Sequence, residues 1–540
     1  MKRIITILIF SLTAFVSQGQ RSTWWQLNQS SGASANAFVT KWSIPSNSYT
    51  LSIPFASSSN NFTIYWGDGS SDLITTNITK THTYATTGTY TISIDGTCPS
   101  INFTSKSELQ EITQWGNTGC TSFTCISSGL TTISAATSSV FFNGCSSLSS
   151  CFNSTKLTSI PSGLFNSAIN AASMSGIFYG CTSMTAAIPA NLFDSAKKAT
   201  SFYACFQNTK IASIPSNLFD YNTLVISFEA CFQNTPITSI PSGLFTYNTA
   251  VTTFLNTFSS SKITSIPSVL FGNSAALFSS TFQNCTSLTS IPSTLFSAVS
   301  SAKSFISTFQ GCTGLTSIPS GLFNSNTAAT SFTSTFQGCT GITGAIPSNL
   351  FDYNTAVTDF NNTFNGTKVT SIPAGLFDNN TNVTSFVSTF QSCTSITSIP
   401  TSLFALNTKV TTFNGAFNGC TGITSIPAGL FNNNTLVTNF TNTFNNIRIT
   451  SIPTGLFDFN TAVTTFNSTF ALCSTLTSIP SGLFTNNTAV TNLGSTFAFC
   501  SAITSAVPTL WVSYPSATHT QCFIGCTSAS NYSSIPSDWK

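Results

Sequence analysis

Along most of this chain apolar residues return in one fixed order. In the stretch ending at Pro400 they stand at Val383, Phe386, Phe390, Cys393, Ile396 and Ile399, in steps of three and four. The order repeats before Pro427, at Val410, Phe413, Phe417, Cys420, Ile423 and Ile426, and again before Pro480. Such steps predict a short helix carrying the two Phe and the Cys on one face. The Leu/Ile-Thr-Ser-Ile segment that follows is rich in β-branched residues, which predicts a strand ended by the proline. A Leu-Phe pair such as Leu376 and Phe377 then points inward. Seven residues after the proline comes an Asn, as at Asn222, Asn248, Asn326, Asn354, Asn380, Asn407, Asn434, Asn460 and Asn487. Asn in such a column predicts local side-chain to backbone hydrogen bonds at a bend.

The Ile-Pro or Val-Pro pairs run from Pro161 to Pro536 at intervals of 25 to 28 residues. A unit of that size cannot bury its own apolar face, so the copies must stack into one continuous core. Residues 105–540 are therefore expected to form an α/β repeat solenoid, unbroken and right-handed, with its strands parallel. The irregular segments at Leu109 to Ile112 and Leu130 to Ile133 are expected as capping turns within 105–150. With layers about 4.8 Å apart the rod would be about 70 Å long. The 50 Phe of the chain recur at constant inward positions, which makes them core and not a binding surface.

Two N-terminal segments stand apart. Lys2 and Arg3 precede an apolar run from Ile4 to Val16 and a small-residue site at Ser17-Gln18-Gly19, which predicts a signal peptide over 1–19 and a secreted or cell-surface protein. The run is too short to span a bilayer, no later stretch is long enough to be a transmembrane segment, and no Cys follows it at a lipid-attachment position. Residues 35–97 alternate apolar and polar around Phe62, Ile64 and Trp66 and again from Thr89 to Ile94, which predicts a small all-β sandwich. Its Trp66-Gly67-Asp68-Gly69-Ser70 and His82-Thr83-Tyr84-Ala85-Thr86-Thr87-Gly88-Thr89-Tyr90 motifs resemble the polycystic-kidney-disease (PKD) type of immunoglobulin-like domain. That resemblance implies a spacer or adhesion module, with Asp68 and His82 in turn and core hydrogen bonding.

The repeats resemble the BspA-like leucine-rich-repeat surface proteins and related mycoplasma-type lipoprotein repeats. The likeness is carried by strings such as Phe309, Cys312, Leu315, Ile318, Pro319, Leu322 and Phe323. It implies a leucine-rich-repeat-like fold and a surface or secreted binding role.

Charge and chemistry narrow the classes further. Only 5% of residues are charged, and the net charge is +3, so nothing steers nucleic acid. Two His and 13 acidic residues offer no acid-base pair at catalytic spacing, and there is no phosphate loop or nucleophile motif, so neither enzyme activity nor a cofactor is expected. Asp194, Asp220, Asp352, Asp378 and Asp458 share one position that Asn or Thr fills elsewhere. One acidic group per layer is too few for calcium, so the column reads as a turn site. No Cys and His grouping has zinc spacing, and no metal site is expected.

Within the repeats the spacing divides the Cys, of which the chain has 17, into two populations. One is a repeat column, Cys145, Cys181, Cys285, Cys312, Cys339, Cys393, Cys420, Cys473, Cys500 and Cys526, where Thr209, Thr235 and Thr367 stand in, so it reads as buried free thiols. The other, Cys151, Cys205, Cys231 and Cys522, directly precedes a Phe. Cys205 and Cys231 hold the same place in adjacent repeats, about 5 Å apart, and are expected to form a disulfide. Thr-Ser pairs occupy the outward places of the predicted strand: Thr238-Ser239, Thr264-Ser265, Thr289-Ser290, Thr316-Ser317, Thr370-Ser371, Thr397-Ser398 and Thr424-Ser425. These are the candidate binding residues. They suit a non-catalytic recognition or adhesion protein whose partner is an extracellular protein or glycan. The alternative is an ice- or mineral-surface binder working through stacked hydroxyls.

Overall fold

The computed structural model describes residues 34–136, 140–273 and 277–540, so the expected signal peptide lies outside the described residues. The N-terminal unit is built from β1 (Phe38–Ile44), β2 (Tyr49–Phe55), β3 (Asn61–Tyr65), β4 (Ser71–Ile74), β5 (Ile78–Tyr84) and β6 (Gly88–Thr97). In the larger sheet β1 and β3 both pair antiparallel with β6, while β2 and β5 form a second sheet. Period-2 alternation turns Phe62, Ile64 and Trp66 inward, and Phe55 of one sheet meets Phe62 of the other at 4.8 Å between ring centroids. The buried Tyr84 hydroxyl donates to the Trp66 carbonyl. His82 stacks on the Trp66 ring and pairs with Asp68 at 2.7 Å.

This unit has no free edge toward the repeats. Strand β8 (Leu109–Gln114) pairs antiparallel with β1, and β10 (Thr132–Ile133) pairs parallel with β8. The large sheet thus runs into the segment expected to hold only capping turns. Beside it β7 (Ser100–Asn102) pairs parallel with β9 (Ser122–Thr124).

The predicted helix is not formed. From Phe386 to Cys393 the chain makes consecutive β-turns, with Thr389 N–H donating to Phe386, Gln391 to Ser388 and Cys393 to Phe390. The intervening N–H groups of Phe386, Ser388, Phe390 and Ser392 point to the carbonyls of Thr412, Asn414, Ala416 and Asn418 in the next coil. Ser388 and Ser392 have φ of 54° and 58°, and a left-handed residue every fourth position breaks a right-handed helix before it completes a turn. Spacing of four between inward Phe is common to both structures, which is why periodicity alone mistook one for the other. Among the described residues the α-helix is a single turn, α1 (Leu510–Ser513).

The predicted strand is also displaced. At the Thr-Ser segments parallel pairing is confined to bridges such as Ser239 to Ser265 and Ser451 to Ser478. A longer parallel series runs just before the first inward Phe, through Ser304, Ser331, Asp359, Ser385, Thr412, Asn439, Thr465, Asn492 and Thr518. The α/β expectation is therefore corrected to a solenoid of turns and short parallel bridges.

Phe residues fill the interior in columns. Phe386 stacks on Phe413 at 5.7 Å with rings 3° apart, Phe390 on Phe417 at 5.5 Å, and Phe404 on Phe431 at 6.2 Å. Rings of different columns meet tilted, as Phe386 and Phe404 do at 4.7 Å. The final coil is closed by aromatic residues: His519 stacks on Trp539, its ring nitrogens contact Ala517 O and Asp538, and Phe523 N–H donates to Trp539 O.

All 17 Cys are buried free thiols. In the repeat column each sulfur donates to a carbonyl of the preceding coil, as Cys393 does to Phe364 O and Cys420 to Phe390 O. The expected Cys205–Cys231 bridge is not formed in the structure. The two residues stack in adjacent coils as free thiols, in the slot that Thr363 and Thr389 fill elsewhere. Burial pushes the thiols of Cys339, Cys393 and Cys473 up to about 12 and that of Cys205 well above its ordinary value.

Two outcomes are expected. At pH 8 a thiol reagent leaves the folded protein unlabelled, and 17 thiols react once it is unfolded without reductant; a count of 15, as 17 less the pair Cys205 and Cys231, would restore the bridge. Leu472 has φ of 62° at an exposed place that most other coils give to Gly, Asn or Ser. Leu472→Gly should raise stability by about 1 kcal/mol, read as a higher melting temperature.

Candidate functional site

The Thr-Ser pairs from Thr238-Ser239 to Thr424-Ser425 are all exposed, each set between two buried Ile, Leu or Val positions of its coil. The N–H and hydroxyl of Thr264 both donate to Thr238 O, those of Thr289 to Thr264 O and those of Thr316 to Thr289 O. One bond to the neighbouring coil thus fixes each hydroxyl's rotamer, leaving its oxygen lone pairs toward solvent. The column is interrupted at Gly344-Ala345 and resumes at Thr370, whose N–H donates to Gly344 O.

A second column lies half a coil away along the chain and went unnoticed among the sequence candidates. Thr330, Thr358, Thr384, Thr411, Thr438, Thr464, Thr491 and Thr518 are exposed in successive coils without a break. From Thr358 to Thr491 each donates its N–H at 2.8 to 3.0 Å and its hydroxyl at 3.2 to 3.3 Å to the carbonyl of the Thr before it. The signal in the sequence is the Thr two residues before the first inward Phe or Leu. Neighbouring Thr412, Asn439, Thr465 and Asn492 use their side chains to accept the N–H two residues on, holding the turn that follows.

Beneath these faces the Asn column does something other than the local bonding expected of it. Asn380 Nδ2 donates to Phe351 O at 3.1 Å and to Asn354 O at 2.9 Å, both in the preceding coil. Asn407, Asn434, Asn460 and Asn487 repeat the pair of bonds, all fully buried. They supply a second donor to carbonyls that already accept one backbone N–H, as Phe351 O does from Asn354 and Asn354 O from Val357. In the last coil Tyr514 takes over, its hydroxyl donating to Phe484 O.

Among the described residues no group of three or more His, Cys, Asp or Glu is gathered as a metal site would need, and no helix is long and apolar enough to cross a membrane. His82 and His519 are each engaged with an Asp and an aromatic ring.

Neither a protein-family model nor a curated protein matches this chain. Among solved structures it is similar to Toll in the Drosophila Toll–Spatzle complex, at 16% identity and a TM-score of 0.37, over 68% of this chain and 43% of that one. It is also similar to the plant peptide hormone receptor RGFR1 in complex with RGF2, at 13% identity and a TM-score of 0.23, over 77% and 88% of the two chains. TLR13 in its complex with ssRNA13 gives 10% identity and a TM-score of 0.22, over 76% and 70%. The chain thus spans less than half the length of the Toll chain, and TM-scores below 0.5 say nothing of what it binds.

The Asn column is testable by charge. Asn380→Asp sets a carboxyl against two carbonyls in a buried place, so its folded pKa rises above the unfolded value of about 4. The variant's deficit against the parent then grows as pH rises from about 4 to neutrality, where it reaches about 3 kcal/mol. Melting temperatures at pH 4 and pH 7 check this: a deficit equal at both would contradict the assigned contacts.

Proposed function

We propose that this chain is a non-catalytic recognition protein acting outside the cytoplasm, which binds an extracellular protein or glycan through its solenoid surface. The observation that carries the reading is the pair of exposed hydroxyl columns repeated over most of the solenoid, the hydroxyls from Thr358 to Thr491 and of Thr264, Thr289 and Thr316 being bonded to the preceding coil. Its bonded hydroxyls are held in place, so such a face loses little side-chain freedom when a partner covers it. The signal-peptide pattern at 1–19, the PKD-like motifs and the BspA-like repeat string support the same reading. The first coils share a sheet with the N-terminal unit, so the full mature chain is the object to test. On glycan and extracellular-protein arrays it should give saturable binding to at least one probe, and it should turn over no polysaccharide, peptide or ester. Turnover abolished by a single Asp or Glu substitution would overturn the proposal.

The unbroken Thr column from Thr330 to Thr518 favours one second reading, an ice or mineral surface as the partner, because its hydroxyls recur at the layer spacing of about 4.8 Å. Under that reading the chain lowers the freezing point below the melting point, and the triple variant Thr384→Val, Thr411→Val, Thr438→Val abolishes the gap. No gap in the parent protein would dismiss it.

A further inference from the structure

The run of turns presents a regular outer surface, and at three consecutive coils near its start that surface is notched. The notch has a volume of about 380 Å³. It is lined by Gly176 and by Ser149 and Ser175, small residues at the place where other coils carry larger ones such as Leu255 or Ile306. Tyr179, Tyr203, Asn153 and Gln207 also line it. Tyr203 is 48% exposed, although a large aromatic side chain gains by burial, and neither tyrosine hydroxyl has a partner in the protein.

Two further observations define the chemistry. Along one flank runs a chain of hydroxyls: Ser147 to Ser149 at 3.0 Å, Ser149 to Ser173 at 2.8 Å, Ser173 to Ser175 at 3.0 Å and Ser175 to Ser201 at 2.9 Å. Connected hydroxyls polarise one another and present both donors and acceptors. No residue lining the notch is charged, so a phosphate, carboxylate or amine would find no counter-charge.

We propose that this notch is a subsite for a neutral oligosaccharide, with Tyr203 and Tyr179 as platforms for the C–H faces of sugar rings and the Ser, Asn and Gln groups bonding to ring hydroxyls. The assignment rests on the recognition reading above and narrows it to one ligand class and one place. A protein partner would use the long hydroxyl faces instead, and a charged polysaccharide would meet a surface without complementary charge.

The test uses the full mature chain with defined probes: cellohexaose, mannohexaose, maltohexaose and chitohexaose, with polygalacturonate as a charged comparison. Titration calorimetry and saturation-transfer NMR should show binding of at least one neutral hexasaccharide. Tyr203→Ala should weaken it about tenfold with an unchanged melting temperature. Tyr203→Phe should keep most of the affinity, and Tyr353→Ala, at an exposed tyrosine in a distant coil, should have no effect. Binding by none of the neutral probes, or only by polygalacturonate, would overturn the subsite. So would neutral binding that Tyr203→Ala and Tyr179→Ala leave untouched, although the broader recognition reading would then stand. A chain that also binds nothing on the protein and glycan arrays loses both.

Discussion

Backbone N–H groups that reach forward to the next coil are the interaction on which this molecule depends. In each run of turns every second N–H closes its own turn and the others cross to the following coil, as from Phe386, Ser388, Phe390 and Ser392. That division is available only if the chain enters the left-handed region twice per coil, and the places concerned hold mainly Ser, Asn and Gly. The remaining regularities follow from it. Coils held at hydrogen-bonding distance stack their Phe rings face over face, and they set the exposed Thr of one coil against the carbonyl of the last.

Backbone bonding leaves a second lone pair free on many inward carbonyls, and the polar residues of the core are placed to meet it. Asn supplies two donors at one corner, Thr one hydroxyl at another, and Cys one thiol at a third. This explains the interchange of residue types in the thiol column. Thr155, Thr209, Thr235 and Thr367 donate to a carbonyl three residues back in their own coil, whereas Cys181 or Cys393 donates to the coil before. The slot asks for a small side chain bearing one hydrogen to give. Redox chemistry is not required to account for so many cysteines, and near-complete burial raises thiols such as those of Cys339 and Cys393 out of the reactive range.

Much of this was legible in the chain. The period implied stacking, the Phe columns implied core, and the Thr-Ser pair between apolar residues implied outward hydroxyls. The local backbone was not legible from apolar spacing, because Phe-x-x-x-Phe suits a helix and a pair of turns equally. The residues that decide between them are the Ser, Asn or Gly two places after each Phe, such as Ser388 and Ser392, which helices tolerate poorly in such regular supply. The continuity of the N-terminal sheet was hidden for another reason: β8 and β10 are short, and their pairing with β1 and with each other joins residues far apart in sequence. The tyrosine notch draws on three coils at once, and no single repeat displays it.

The two ends of the stack are finished differently from its middle. Forward bonding begins at β7, beside the N-terminal sheet, and at the far end Phe523 gives its N–H to Trp539 of the chain's own tail. Most of the described coils between them offer the next a similar set of backbone donors and receive a similar set from the one before. A copy gained or lost by recombination would therefore rejoin cleanly, leaving both seals in place. Length in such a protein is an adjustable dimension, and lineages carrying it can lengthen or shorten the presented surface without inventing a new fold.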